Sequence, residues 1–187
     1  MVAGFSATTA TGLTSFVGDL NNLERGSSFY GRSALETFIG DLSSLRNGCG
    51  MFSGCSSLTT FIGDLSSLEI GGNNAQNSSN GGIFNRTNLS VESVEIIADT
   101  LPENPEVDVD TQKGTIGISW DVLTSDTTER QKLVDALSGV LDKGWVLFTN
   151  SELLTMFDTE KYQVVQETVQ PLDLDSEPQE IAYVIKK

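Results

Sequence analysis

The sequence predicts an α/β chain: a short solenoid of 22- to 23-residue coils, a helix-strand-helix-strand cap at its C-terminal end and a β-rich tail. Three observations predict it. The phrase "FIGDLSSL" occurs at Phe38 to Leu45 and again at Phe61 to Leu68, with a looser copy, "FVGDLNNL", at Phe16 to Leu23. Leu13, Leu35 and Leu58 are spaced by 22 and 23 residues, as are Phe16, Phe38 and Phe61, and a fixed period in this range is the mark of stacked repeats. After Leu89 the repeat gives way to alternating helical and strand patterns.

Each repeat opens on L-x-x-F, which is too short for a helix and reads as an extended arm with Leu and Phe turned inward, Glu36, Thr37, Thr59 and Thr60 turned out. The following Gly-Asp turns the chain. Gly40 and Gly63 are expected to supply positive φ there, while Asp19, Asp41 and Asp64 accept backbone N–H bonds as in an Asx-turn. Leu-Ser-Ser-Leu then returns along the next side. A second shared phrase, "GSSFYGRSAL", "GCGMFSGCSSL" and "GGIFNRTNL", sends one large side chain inward and closes the circuit at Gly31 or Ser53-Gly54. No single coil buries these ridges alone, so successive coils must stack. Leu13, Phe16, Leu35, Phe38, Leu58 and Phe61 are the expected repeat core.

Between the third copy and its closing phrase lies "GGNNAQNSSNGG" (Gly71 to Gly82), whose only apolar residue besides glycine is Ala75. It is expected to bulge from one edge as a tolerated insertion, with a contact loop as the alternative. Asn77, Asn85 and Asn88 each satisfy N-x-[ST], a weak signal without an export route.

From Ser90, a predicted N-cap, Val91, Val94, Ile97, Ala98 and Leu101 recur at helical spacing. "GTIGISW" (Gly114 to Trp120) reads as a strand. Asp126 and Glu129 open a helix whose Leu133, Val134, Leu137, Val140 and Leu141 form one stripe, and Gly144 closes it before the strand "WVLFT". The expected division is a solenoid over 1–101, a cap over 102–150 and an assembly arm over 151–187. The arm begins with a helical turn capped by Ser151. Its two β-rich runs, Tyr162 to Val169 and Ile181 to Ile185, flank a loop carrying Asp173, Asp175, Glu177 and Glu180. That loop lacks the spacing of a calcium loop, so it reads as a solvated hairpin connection. Val164, Val165, Ile181, Tyr183 and Ile185 are the candidate assembly contacts, because two strands alone are marginal and call for a neighbouring surface.

The phrases "CSSLTTFIGDLSSLEIG" and "GCGMFSGCSSL" resemble the BspA-like leucine-rich repeats, written C-x-x-L-x-x-[VIF], a corner, an apolar return and G-x-x-x-F. The resemblance covers roughly residues 10 to 101. It departs from the family pattern in an Asp at the corner where many members have Pro, and in Ser33 and Thr87 near the position that Cys55 occupies. It implies surface and adhesion roles in bacteria, and similar repeats also occur in bacteriophage fibre and virion proteins.

Composition closes several routes. The formal net charge is −15 with no His, which argues against nucleic acid and anionic membranes as partners. Without His there is no Ser-His base and no imidazole metal ligand. No phosphate loop or dinucleotide fingerprint is present, and no run of about 18 apolar residues offers a membrane span. Cys49 and Cys55 are read as two reduced, partly buried thiols in preference to a bridge. No cofactor, metal or catalytic residue is expected.

The expected function is a non-enzymatic structural or attachment component of a larger assembly, most simply of a phage virion or fibre, with other copies or other virion proteins as partners in a homo-oligomer. The chain opens at Met1 close to the first repeat with no export signal or anchor, which favours assembly into a virion from the host cytoplasm. The alternative is a bacterial surface adhesin binding glycan or protein through the repeat face.

Overall fold

The computed structural model describes residues 12–26, 28–72, 81–169 and 179–187. The interior of the Asn-rich insert, Asn77 and the Asp173, Asp175 and Glu177 loop lie outside the described residues.

The three F-[VI]-G-D phrases form β1 (Ser15–Asp19), β2 (Thr37–Asp41) and β3 (Thr60–Gly63), a parallel sheet in which Phe16, Phe38 and Phe61 share one rung position. Strand alternation sends Phe inward, Val17, Ile39 and Ile62 outward, and Gly inward again. The phenyl rings stack nearly parallel, Phe16 on Phe38 at 5.2 Å and Phe38 on Phe61 at 5.5 Å between centroids. A second column, Phe29 on Phe52 on Phe84, comes from the other shared phrase and meets the first edge-to-face. Leu35, Phe38, Leu58 and Phe61 are fully buried, whereas Leu13 and Phe16 pack partly buried against the core. Leu-Ser-Ser-Leu is a tight turn rather than a returning strand, since Leu45 N donates to Leu42 O and Leu68 N to Leu65 O, with all four Leu side chains buried. Met51 is buried as completely as Phe52, so the second phrase of that repeat turns two large side chains inward.

Gly40 and Gly63 do not take positive φ; among the described glycines that conformation falls on Gly31, Gly50, Gly54, Gly72, Gly114 and Gly144. Gly40 and Gly63 are extended strand residues. A Cβ at Gly63 would meet the Phe61 ring at 2.6 Å, and one at Gly40 would meet both the Gly18 carbonyl oxygen of the neighbouring strand at 2.8 Å and the Phe38 ring at 2.9 Å.

The expected leucine-rich-repeat solenoid is overturned at this point: the chain is a mixed α/β domain with a three-stranded parallel sheet and a five-stranded mixed sheet. The repeat sheet ends at β3 because α1 (Val91–Thr100) sits where a fourth strand would pair. Ser90 N donates to Thr59 O, and Ser93 Oγ accepts from Phe61 N at 2.9 Å while donating to Thr59 O at 3.0 Å, so two serines satisfy the edge of β3. The last copy of the second phrase becomes β4 (Phe84–Thr87), the edge of a different sheet. It pairs in parallel with β5 (Thr115–Trp120), which pairs in parallel with β6 (Val146–Phe148). The crossovers carry α1 and α2 (Thr127–Asp142), whose apolar faces pack on each other.

The tail is corrected likewise. After the short α3 (Ser151–Leu154), β7 (Tyr162–Val169) and β8 (Gln179–Lys186) pair antiparallel, and β8 inserts between β7 and β6, with Leu147 opposite Val184. The third strand that the tail lacks in sequence is β6. This sheet therefore runs through all three expected segments, from β4 below residue 101 to β8 near the end. Ser151 is not the cap of α3; Asn150 holds that position, and its side chain bonds elsewhere.

Candidate functional site

The outer face of the repeat sheet is built by alternation. The residues that do not enter the core form three columns across the strands: Ser15, Thr37 and Thr60; Val17, Ile39 and Ile62; and the aspartates Asp19, Asp41 and Asp64. Neighbouring rungs of a sheet lie about 4.8 Å apart and alternate residues along a strand about 6.7 Å apart. A regular aliphatic column therefore runs beside a regular carboxylate column.

Val17 is 73% exposed, Ile39 37% and Ile62 45%, in a sheet whose other face buries Phe38 and Phe61 completely and Phe16 in part. Exposed aliphatic residues occur singly on most surfaces, whereas here three stand in register. Helix α1 rises beside β3 as a wall and contributes Ile96, Asp99 and Thr100, turning the face into an open groove of about 820 Å³. Gly18, Gly40 and Gly63 share its floor.

The corner aspartates are fixed rather than free to swing. Oδ1 of Asp19, Asp41 and Asp64 accepts the N–H of Asn21, Ser43 and Ser66, each at 2.8 Å. The Ser43 hydroxyl and backbone N–H hold the Asp41 carboxyl below its ordinary range. Among the described residues no basic side chain lines the groove and no ion pair involves Asp41, Asp64 or Asp99. The groove thus presents negative charge above an aliphatic floor.

Chemically the face offers aliphatic side chains beside carboxylates. A carboxyl acting as a general acid needs a raised pKa, and Asp41 is displaced in the opposite direction. Among the described residues no three His, Cys, Asp or Glu side chains are grouped to hold a metal ion, and no helix is long and apolar enough to cross a membrane. Cys49 and Cys55 are free thiols; burial pushes them up to about 11 and about 12, far from a reactive thiolate.

The candidate assembly residues do not share one exposed surface. Tyr183 is buried against Phe148 and Val146, with Val165, Ile181 and Ile185 partly buried around them, and its hydroxyl donates to Glu167 at 2.9 Å. Burial first, and Glu167 second, raise its pKa. Val164 alone of the five is exposed. The side-chain amides of Asn85 and Asn88 are committed within the fold, Asn85 to Ser119 and Asn88 to Ser56 and Val122.

Reading the repeat as inward Leu and Phe left the intervening position unassigned. The signal was in F-[VI]-G-D itself: at a period of two, an inward Phe and an inward Gly force the aliphatic residue between them outward. Comparison with protein-family models, curated proteins and solved structures found no match.

Proposed function

We propose that the protein is a non-enzymatic attachment or recognition module of a larger assembly, and that its contact surface is the outer face of the three-stranded sheet. The observation that carries this reading is the exposed Val17, Ile39 and Ile62 column, held in register by the stacked Phe16, Phe38 and Phe61 rings on the opposite face. A rigid, preorganised apolar surface loses little conformational entropy on binding, so a small patch contributes more than the same area on a loop. Both settings expected from the sequence, a virion and a bacterial surface, call for such a face.

The test is affinity capture from the cells in which the protein is naturally made, comparing the native protein with Ile39→Glu/Ile62→Glu and with Val122→Glu, a control at an exposed valine away from the groove. A partner retained by the native protein and by the control, but lost by the double variant, is the expected result. Retention by all three proteins removes the sheet face as the contact surface.

A further inference from the structure

This inference rests on the sheet face being a contact surface and concerns the chemistry of what it contacts. We infer that the occupant of the groove is a cationic, aliphatic segment of a partner protein, its Lys or Arg groups over Asp41, Asp64 and Asp99 and its apolar side chains on Ile39, Ile62 and Ile96.

Charge complementarity points to this class. Among the described residues that line the groove three are carboxylates and none is basic, and none of those carboxylates forms an ion pair with a described residue. Opposite charge across a docking surface steers encounter and fixes register, while a like charge opposite an unpaired carboxylate is disfavoured. The Asx-turn bonds set the Asp41 and Asp64 side chains before any partner arrives. Unpaired carboxylates beside accessible aliphatic side chains are matched by side chains with a long apolar stem and a cationic head, which Lys and Arg supply.

Other occupants fit less well. Among the described residues no aromatic side chain lines the groove, so they offer a sugar no ring face on which to stack. A second copy would bring the same acidic columns together in a chain of net charge −15. The three rungs also span only about 10 Å, a small part of the roughly 800 Å² per partner of a standard interface.

The probes are three synthetic peptides of about twelve residues, alternating Leu with Lys, Leu with Gln and Leu with Glu. Binding to the full chain is followed by the methyl NMR signals of Val17, Ile39, Ile62 and Ile96. The expected result is that the Leu-Lys peptide shifts these methyls and weakens several-fold between about 50 and about 300 mM NaCl. Asp41→Asn/Asp64→Asn/Asp99→Asn should weaken it about tenfold, since each exposed pair contributes a fraction of that factor. Glu103→Gln/Glu152→Gln/Glu160→Gln, which removes the same net charge outside the groove, should change it less than about twofold. Equal weakening by both triple variants shows non-specific attraction and overturns the inference. Equal binding of the Leu-Gln peptide overturns it too, while leaving the contact face in place. If no peptide moves the groove methyls, the inference falls, and the capture comparison of the Ile39/Ile62 variant decides separately whether the face itself stands.

Discussion

The ring of Phe61 lies beneath Gly63, its Cζ 2.6 Å from the point a Cβ on that glycine would occupy. Phenylalanine and glycine two residues apart thus form one packing unit, repeated at Phe38 and Gly40. Gly63→Ala should destabilise the domain by about 1–3 kcal/mol, as overpacking does in a filled core. Phe61→Ala opens a cavity at a fully buried aromatic and should cost about 3–5 kcal/mol. Urea melts of the two variants check this; a loss below about 1 kcal/mol for Phe61→Ala would contradict its place in the ladder.

The same pair shows how far the sequence could be read. Phe38 and Phe61 were recognisable as core from their period, and Ser90, Asp126 and Gly144 marked helix limits that the structure places within a residue or so. Local chemistry sets such features, so short phrases carry them. The role of Gly63 was not legible, because its constraint is a ring position rather than a backbone dihedral. The solenoid expectation failed for a non-local reason: Ser90 and Ser93 satisfy the edge of β3, and β4 finds its partner in β5, about thirty residues further along. The groove was half legible, its aspartates from the repeat and its wall only once α1 was packed.

Asp64 holds its turn through one oxygen that accepts the Ser66 N–H. Asp64→Asn retains that acceptor and should leave the melting temperature unchanged. Asp64→Ala removes it and should lower the midpoint by about 2–4 °C at this chain length. Calorimetry of the two variants separates the acceptor from the charge; an equal fall in both would assign the effect to charge instead.

Asp41 gives a pH expectation. Its pKa is lowered in the folded chain by the Ser43 hydroxyl and backbone N–H, so its contribution is complete above the ordinary carboxylate value and is lost as pH falls through the depressed one. Ser43→Ala removes the hydroxyl and should move the Asp41 titration upward toward its usual range, measured by the carboxyl carbon shift in NMR. An unmoved titration would show that the hydroxyl is not the main cause.

Asn150 stands in for a strand at the end of β5. Its Oδ1 accepts the Trp120 N–H at 2.8 Å and its Nδ2 donates to Trp120 O at 3.1 Å, reproducing the two bonds of a strand pair with one side chain. Asn150→Ala strands a donor and an acceptor near the core and should cost about 1–3 kcal/mol. Asn150→Asp keeps only the acceptor and should fall between the two in denaturant melts. A neutral Asn150→Ala would mean that water replaces both bonds.

The tail yields the sharpest reversal. The sequence predicts residues 151–187 as an assembly arm apart from the repeat core. In the structure β8 lies inside the five-stranded sheet, Val184 is fully buried opposite Leu147, and the hairpin residue Tyr162 is buried beside Phe157. Removing 151–187 would expose the edge of β6 and the apolar sides of Leu147, Val140 and Leu141, which are buried in the same continuous core as the phenylalanine ladder. Because one core joins the two sheets, loss of β7 and β8 should not stay local. The truncated chain should be aggregation-prone and should lose the cooperative melt of the whole domain, including the methyl signals of Ile39 and Ile62. Val184→Asp, which buries a charge at the centre of β8 without shortening the chain, should produce the same loss. A truncated protein that kept dispersed Ile39 and Ile62 signals and a sharp melt would restore the arm as a separate unit.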